Sequence, residues 1–349
     1  MQRKNIKFFI DFITISFISF ACIELLLQIL LRNQILELSG VLKHQNISKL
    51  DFDRYLNLRD EYLGWPSALA HGKLFNKYGY RHTPEGLKYK NKKACIAIFG
   101  DSQGYGLDVT DEEAWSNILS HKMQCKIENY SVPAYGTDQA FLRFKKIKPK
   151  ADTVIITFID DNLRRNFIQF WDLQLGEIYL ERTKPRFIFD HDGNLKFIPL
   201  PINNYQDLED INNWHFDNIF KHETFIPNSA KYKSALRPYK FAYSISLTNS
   251  IFKYYITKFR YNNLISKTIL AKFVDKRIHF NTASQESIKL QAAILREFVS
   301  SCSMNHKRCL ILRLSMNFQN PKNESINPIV THLENNSLIK KNYINGNNM

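Results

Sequence analysis

Residues 95–99 (Cys-Ile-Ala-Ile-Phe) form a short, uninterrupted apolar run that passes directly into Gly100-Asp101-Ser102. An apolar run of this length bounded by turn residues reads as a strand covered on both faces, the mark of a parallel sheet. The chain beyond it repeats the scheme. Helical periodicity is predicted over Asp111–Met123, opened by Thr110 or Asp111, over Thr137–Lys146, opened by Thr137 or Asp138, and over 284–304. Strands are predicted over Lys126–Tyr130, Thr153–Phe158 and Arg308–Leu314. This alternation implies an α/β architecture with helices on both faces of a parallel sheet. Such sheets take their ligands at the carboxyl ends of the strands, where helix N-termini offer free backbone N–H groups. Ser102 stands at that place after the first strand and is the first candidate nucleophile.

Residues 8–31 (FFIDFITISFISFACIELLLQILL) obey a different constraint. As a helix rising about 1.5 Å per residue they extend about 36 Å, enough for a hydrocarbon core of about 30 Å. Arg3, Lys4 and Lys7 precede the run, which orients the N-terminus to the cytoplasm and the remainder across the membrane. The run ends in Leu30-Leu31-Arg32-Asn33-Gln34 with no small-x-small cleavage site, so an uncleaved signal-anchor is expected. The alternative is a buried amphipathic helix. Glu24 within the run is either a functional intramembrane acid or one that reaches the far interface or a neighbouring helix.

The rest divides into a polar extension over 33–90, an α/β domain over 91–314 with an insertion at about 163–283, and an Asn-rich tail over 315–349 expected to be poorly ordered. Phe167, Phe170, Trp171 and Trp214 in the insertion are either core residues or a platform for a sugar. The net charge of +15 comes without zinc-finger spacing, an arginine-rich tract or an RNA-binding signature, so no nucleic-acid partner is expected. A solvated basic face, lying near anionic lipid, accounts for it. Cys22, Cys95, Cys125, Cys302 and Cys309 contain no C-x-x-C pair, and their number is odd. Buried free thiols are expected, with a Cys95–Cys309 bridge as the alternative. His215 and His222, with Asp217 and Glu223, lack metal-ligand spacing, and no metal is called for.

Three blocks carry a resemblance. Gly100-Asp101-Ser102 resembles block one of the SGNH (GDSL-type) hydrolases. The segment 130–139 (YSVPAYGTDQ) resembles block two, with Gly136 as its glycine, and 159–166 (IDDNLRRN) occupies block three. Leu63-Gly64-Trp65, the N-x-x-G-Y-R piece over 76–81 and Glu24-Leu25-Leu26-Leu27 are similar to bacterial membrane-anchored members. The resemblance covers roughly 20–166 and 284–314. It implies a flavodoxin-like three-layer sandwich behind one transmembrane helix, in a single-pass protein of the bacterial inner membrane with its main domain periplasmic. It also implies a serine esterase that needs no cofactor, with an oxyanion hole built from the N–H groups of Ser102 and Gly136 and a block-three asparagine side chain. Asn162 is the first choice for that asparagine, Asp161 standing in its place is the alternative, and Asn166 is the third. Asp101 is assigned to fixing the turn.

The family's base is a histidine after the last strand, preceded three residues earlier by an aspartate that orients it. No D-x-x-H occurs in this chain. His332 is the only histidine beyond Leu314 and is taken as the possible base, although Ile329 stands where the aspartate should be. His279, four residues after Asp275, precedes the long helix instead. The C-terminus therefore reads as atypical or truncated. Three functions fit: an esterase removing acyl (such as acetyl) groups from an envelope glycan or similar ester, a catalytically impaired relative that binds a glycan or protein, and a glycan O-acyltransferase using the same serine.

Overall fold

A computed structural model of the chain describes residues 2–32, 46–66, 70, 72–175, 178–213, 215–224, 285–314, 333 and 335–345. Its strands are β1 (Ile96–Phe99), β2 (Ile127–Asn129), β3 (Thr153–Phe158), β4 (Arg186–Phe189), β5 (Leu195–Ile198), β6 (Arg308–Arg313) and β7 (Tyr343–Asn345). Its helices are α1 (Gln2–Arg32), α2 (Lys49–Leu58), α3 (Ser102–Tyr105), α4 (Trp115–Met123), α5 (Thr137–Ile147), α6 (Asn162–Arg165), α7 (Tyr205–Asn212), α8 (Phe216–Ile219), α9 (Gln285–Met304) and α10 (Ser337–Lys340).

Five strands form one sheet in the order β2-β1-β3-β6-β7, and every neighbouring pair is parallel. Counting only its members, the order is 2-1-3-4-5, which is compatible with a flavodoxin-like fold. Side chains alternate between the two faces with the period of two that strands impose. Ala97, Phe99, Val154, Ile156, Phe158 and Ile311 enter the main core beneath α5 and α9. There Phe144 packs on Phe99, ring centroids 5.7 Å apart, and on Phe298 at 5.3 Å. Ile96, Ile98, Ile127 and Ile155 point the other way, toward Trp115 and Leu119 of α4. The expected α/β parallel sheet is therefore present.

Three expectations change, and one open alternative closes. The tail is not without structure: α10 and β7 lie within it, β7 pairs with β6, and Leu333 and Ile339 are fully buried in the main core. The cysteines are not free thiols: Cys95 is bonded to Cys125 and Cys302 to Cys309, each pair with Cα atoms 6.1 Å apart, leaving Cys22 free. A Cys95–Cys309 bridge is ruled out by topology, because β3 separates β1 from β6. Two strand spacings of about 4.8 Å exceed the Cα separation a disulfide spans. In the insertion, the antiparallel β4–β5 hairpin, α7 and α8 are ordered, and Phe170, Leu208, Phe216 and Phe220 share a second apolar cluster with Phe52 and Tyr55 of α2. Phe167 and Phe170 are thus core residues, while Trp214 lies outside the described residues.

The stretch 8–31 falls within α1, whose side chains are described over 11–27 and at 29. Phe12, Ile13, Ile15, Phe17, Ile18, Ile23, Leu25 and Leu26 are exposed, spread around the whole helix circumference. Among the described residues, which cover the side chains of this stretch only over 11–27 and at 29, no helix is long and apolar enough to cross a membrane.

The disulfides predict graded losses. Following loop length, with separations of 30 and 7 residues, Cys95→Ala/Cys125→Ala should cost about 3–4 kcal/mol and Cys302→Ala/Cys309→Ala about 2–3 kcal/mol in urea unfolding. Alkylation of the denatured chain without reductant should modify Cys22 alone.

Candidate active site

Strand order reverses between β1 and β3, and that is where the three blocks meet. Phe99 is paired with Ile156, so β1 and β3 bring their carboxyl ends close together. Gly100 lets the two loops approach: a Cβ there would overlap the Thr157 hydroxyl. Asp101 then caps α3, its Oδ1 accepting from the N–H groups of Gln103 at 2.9 Å and Gly104 at 3.2 Å. It is wholly buried, and burial raises its carboxyl above the ordinary range against the opposing charge of Arg165. Ser102 is half-buried at the first position of α3. Neither its N–H nor its Oγ makes a hydrogen bond among the described residues.

Gly136 is the buried N-cap of α5. A Cβ on it would overlap Asp138 Oδ1 and lie 2.9 Å from Asn166 Oδ1, so only glycine fits. Its N–H also donates to nothing among the described residues. Two residues earlier, Ala134 takes a left-handed backbone at φ 68°, a conformation that non-glycine residues hold at a cost and that gathers at functional sites.

The three block-three alternatives are separated by their surroundings. Asn162, 1% exposed, begins α6; its Nδ2 lies 3.4 Å from Thr137 Oγ1, and its amide lies beside Asp101. Its Oδ1 is buried without a hydrogen-bond partner. Asp161 is engaged by Arg164 at 2.9 Å and Arg165 at 2.8 Å. Burial raises its carboxyl, but these bonds outweigh burial and hold it below the ordinary range. Asn166 is spent on structure, donating to Gln291 Oε1 at 2.6 Å and accepting the Asp138 N–H at 3.2 Å.

The histidine expectations fare differently. His332, His279 and Asp275 lie outside the described residues. Among the described residues the sheet continues past Leu314 to β7, so His332 lies in sequence between β6 and β7. Burial lowers the pKa of His222, which lines an open cleft of about 290 Å³ with Phe167, Arg186, Phe189 and Glu286; none of Ser102, Gly136 and Asn162 borders that cleft. Among the described residues no cluster could hold a metal ion.

The upstream pieces support the blocks. Arg81, 3% exposed, donates to the carbonyls of Tyr105 (2.6 Å), Gly106 and Val109 (2.7 Å) and to Asp111 at 2.9 Å. It therefore caps the carbonyl end of α3. Trp65 packs edge-on against Tyr135 at 5.8 Å and donates to Pro133 O at 3.3 Å, while Gln139 Nε2 donates to Leu63 O at 3.0 Å. Behind Gly136, Arg165 donates to Tyr135 O at 3.1 Å, and Lys184 pairs with Asp138. In the sequence these supports show only as pieces, Leu63 and Trp65 in Leu-Gly-Trp and Arg81 at the end of N-x-x-G-Y-R, while Lys184 carries no signal.

No protein-family model matches the chain, and no curated protein matches it.

Lys184 and Asp138 are both 0% exposed. Lys184→Met leaves a buried carboxylate without its cation and is expected to lose about 3–5 kcal/mol of stability in urea unfolding. A loss below about 1 kcal/mol would mean that Asp138 does not need the ammonium.

Proposed function

We propose that this chain is an SGNH-type serine ester hydrolase, anchored in a bacterial inner membrane by residues 8–31, with its α/β domain on the periplasmic side. It removes acyl groups, such as acetyl, from an envelope glycan or similar ester. One observation carries the reading: Ser102, Gly136 and Asn162 gather at the switch point with two backbone N–H groups unused among the described residues and a carboxamide beside them. Ser102 Oγ attacks the acyl carbon, the alcohol leaves as its C–O bond breaks, and water then cleaves the acyl-serine. The two N–H groups and Asn162 Nδ2 stabilise the oxyanion at each step. A histidine takes the serine proton and gives it to the leaving alcohol oxygen, then takes a proton from the attacking water and returns it to Ser102 Oγ; His332 is the sequence candidate. The mechanism needs no cofactor.

Two observations support the compartment. Disulfides such as the two here persist in oxidising surroundings. The large apolar side chains exposed around α1, with Arg3, Lys4 and Lys7 before them, suit a lipid environment with the N-terminus cytoplasmic. A second reading, a catalytically silent relative that binds a glycan or protein, is favoured by one observation: among the described residues no histidine or carboxylate bonds to Ser102 Oγ.

A fluorophosphonate probe on the detergent-solubilised full chain distinguishes these readings. Labelling that disappears in Ser102→Ala supports the hydrolase; a folded chain that does not label supports the silent relative. If the chain labels, Asn162→Ala should lower kcat about 100-fold, whereas Asp161→Ala should change it less than about threefold. The full chain should stay in the membrane pellet after alkaline carbonate extraction, and release into the supernatant would refute the anchor.

A further inference from the structure

Lys184 belongs to none of the three blocks, yet it touches two of them. Its Nζ donates to Asp138 Oδ2, to Arg165 O at 3.1 Å and to Ile168 O at 3.1 Å. Three acceptors use all three donors of an ammonium. Asp138 sits two residues after Gly136 in block two, and Arg165 and Ile168 follow Asn162 in and beyond block three. One buried cation thus ties the loop carrying Gly136 to the loop carrying Asn162.

The carboxylate completes the tie. Asp138 Oδ1 accepts the Gln139 N–H at 2.8 Å, and the Asp138 N–H donates to Asn166 Oδ1 at 3.2 Å. These two oxygens, Asp138 Oδ1 and Asn166 Oδ1, are the atoms that confine the Gly136 backbone. Burial pushes the Lys184 ammonium down and the Asp138 carboxyl up, and their mutual attraction opposes both. A buried ion pair is often no more stabilising than an apolar pair of the same volume, and its best-attested use is to fix register. The arrangement here has that form.

We propose that Lys184 and Asp138 are positioning residues that set the Gly136 N–H against the Asn162 carboxamide and so fix the shape of the oxyanion hole. The proposal rests on the reading that these groups form that hole. Neither residue touches the reacting atoms.

The test uses the full chain in detergent and the double variant Lys184→Met/Asp138→Asn. This variant removes both charges, while the carboxamide oxygen introduced at position 138 can still accept the Gln139 N–H, so no orphan charge confounds folding. Three quantities are read: the thermal midpoint, the rate of fluorophosphonate labelling at Ser102, and the amide spectrum of protein labelled with ¹⁵N at its 12 glycines. The expected result is a midpoint within a few degrees of wild type, a displaced Gly136 resonance, an unmoved Gly193 resonance in the β4–β5 turn, and labelling at least tenfold slower. An unmoved Gly136 resonance overturns the proposal, as does unchanged labelling where the wild type labels. If the wild type does not label, the hydrolase reading fails separately, and the Gly136 resonance alone decides whether the pair sets the turn. Should the double variant unfold, Lys184→Arg replaces the compact ammonium with a planar fork and is judged by the same resonance.

Discussion

The parallel pairing of β1 with β3 is the constraint on which the rest of this structure depends. Phe99 opposite Ile156 brings two strand ends together, and beyond them the chain diverges. From β1 it runs outward through α4 to β2, and from β3 it runs the other way toward β6. A parallel sheet cannot close that divergence with its own hydrogen bonds, so a crevice opens at the switch point. Asp101 and Asn162 reach each other across it only because both strands end nearby. A one-residue slip of β3 would turn its side chains to the opposite face, moving Val154, Ile156 and Phe158 out of the core and Thr157 away from Gly100.

Loops at such an edge carry backbone carbonyls into partly buried surroundings, where each needs a donor. This chain supplies them with cations. Arg81 serves the carbonyls after α3, Arg165 serves Tyr135, Lys184 serves Arg165 and Ile168, and Arg186 serves Phe167 and His222. Arg313 holds Asp160 through two bonds of 2.8 Å, bracing the loop just before Asn162. Arg81, Arg165, Lys184, Arg186 and Arg313 are each less than 9% exposed. Part of the positive charge that suggested a basic outer face is therefore internal. It shapes the candidate site rather than attracting an anionic surface.

What was legible in the sequence follows from how local each signal is. The strand ending in Gly100-Asp101-Ser102 is a contiguous run of apolar residues, and Thr153–Phe158 is β-branched and apolar throughout; both form as predicted, to within a residue. The helix expected from Asp111 starts at Trp115 instead, and Asp111 pairs with Arg81, a partner 30 residues away that no local pattern reports. Strand β7 is not legible, because an edge strand as short as Tyr343–Asn345 has too few apolar positions to show a period amid asparagines. The disulfide connectivity depends on which strands are neighbours, and spacing alone does not carry that information. Lys184 was invisible for the same reason: a lysine in a weakly periodic stretch reads as solvated until the fold places Asp138 against it.

The two kinds of tie occupy opposite edges of the sheet. Cys95 and Cys125 precede β1 and β2, and Cys302 near the end of α9 joins Cys309 near the start of β6, so both disulfides lie toward the amino edge. The candidate site lies at the carboxyl edge, where hydrogen bonds, ion pairs and ring packing such as Trp65 on Tyr135 hold the described loops. Covalent ties stabilise chiefly by restricting the unfolded chain, and they work wherever the loop they close is long. Ion pairs with fixed donors act on the folded state and set distances to within a hydrogen bond. On the proposed reading, in which two N–H groups and one carboxamide must point at one oxygen, the site gains more from the second kind of tie than from the first.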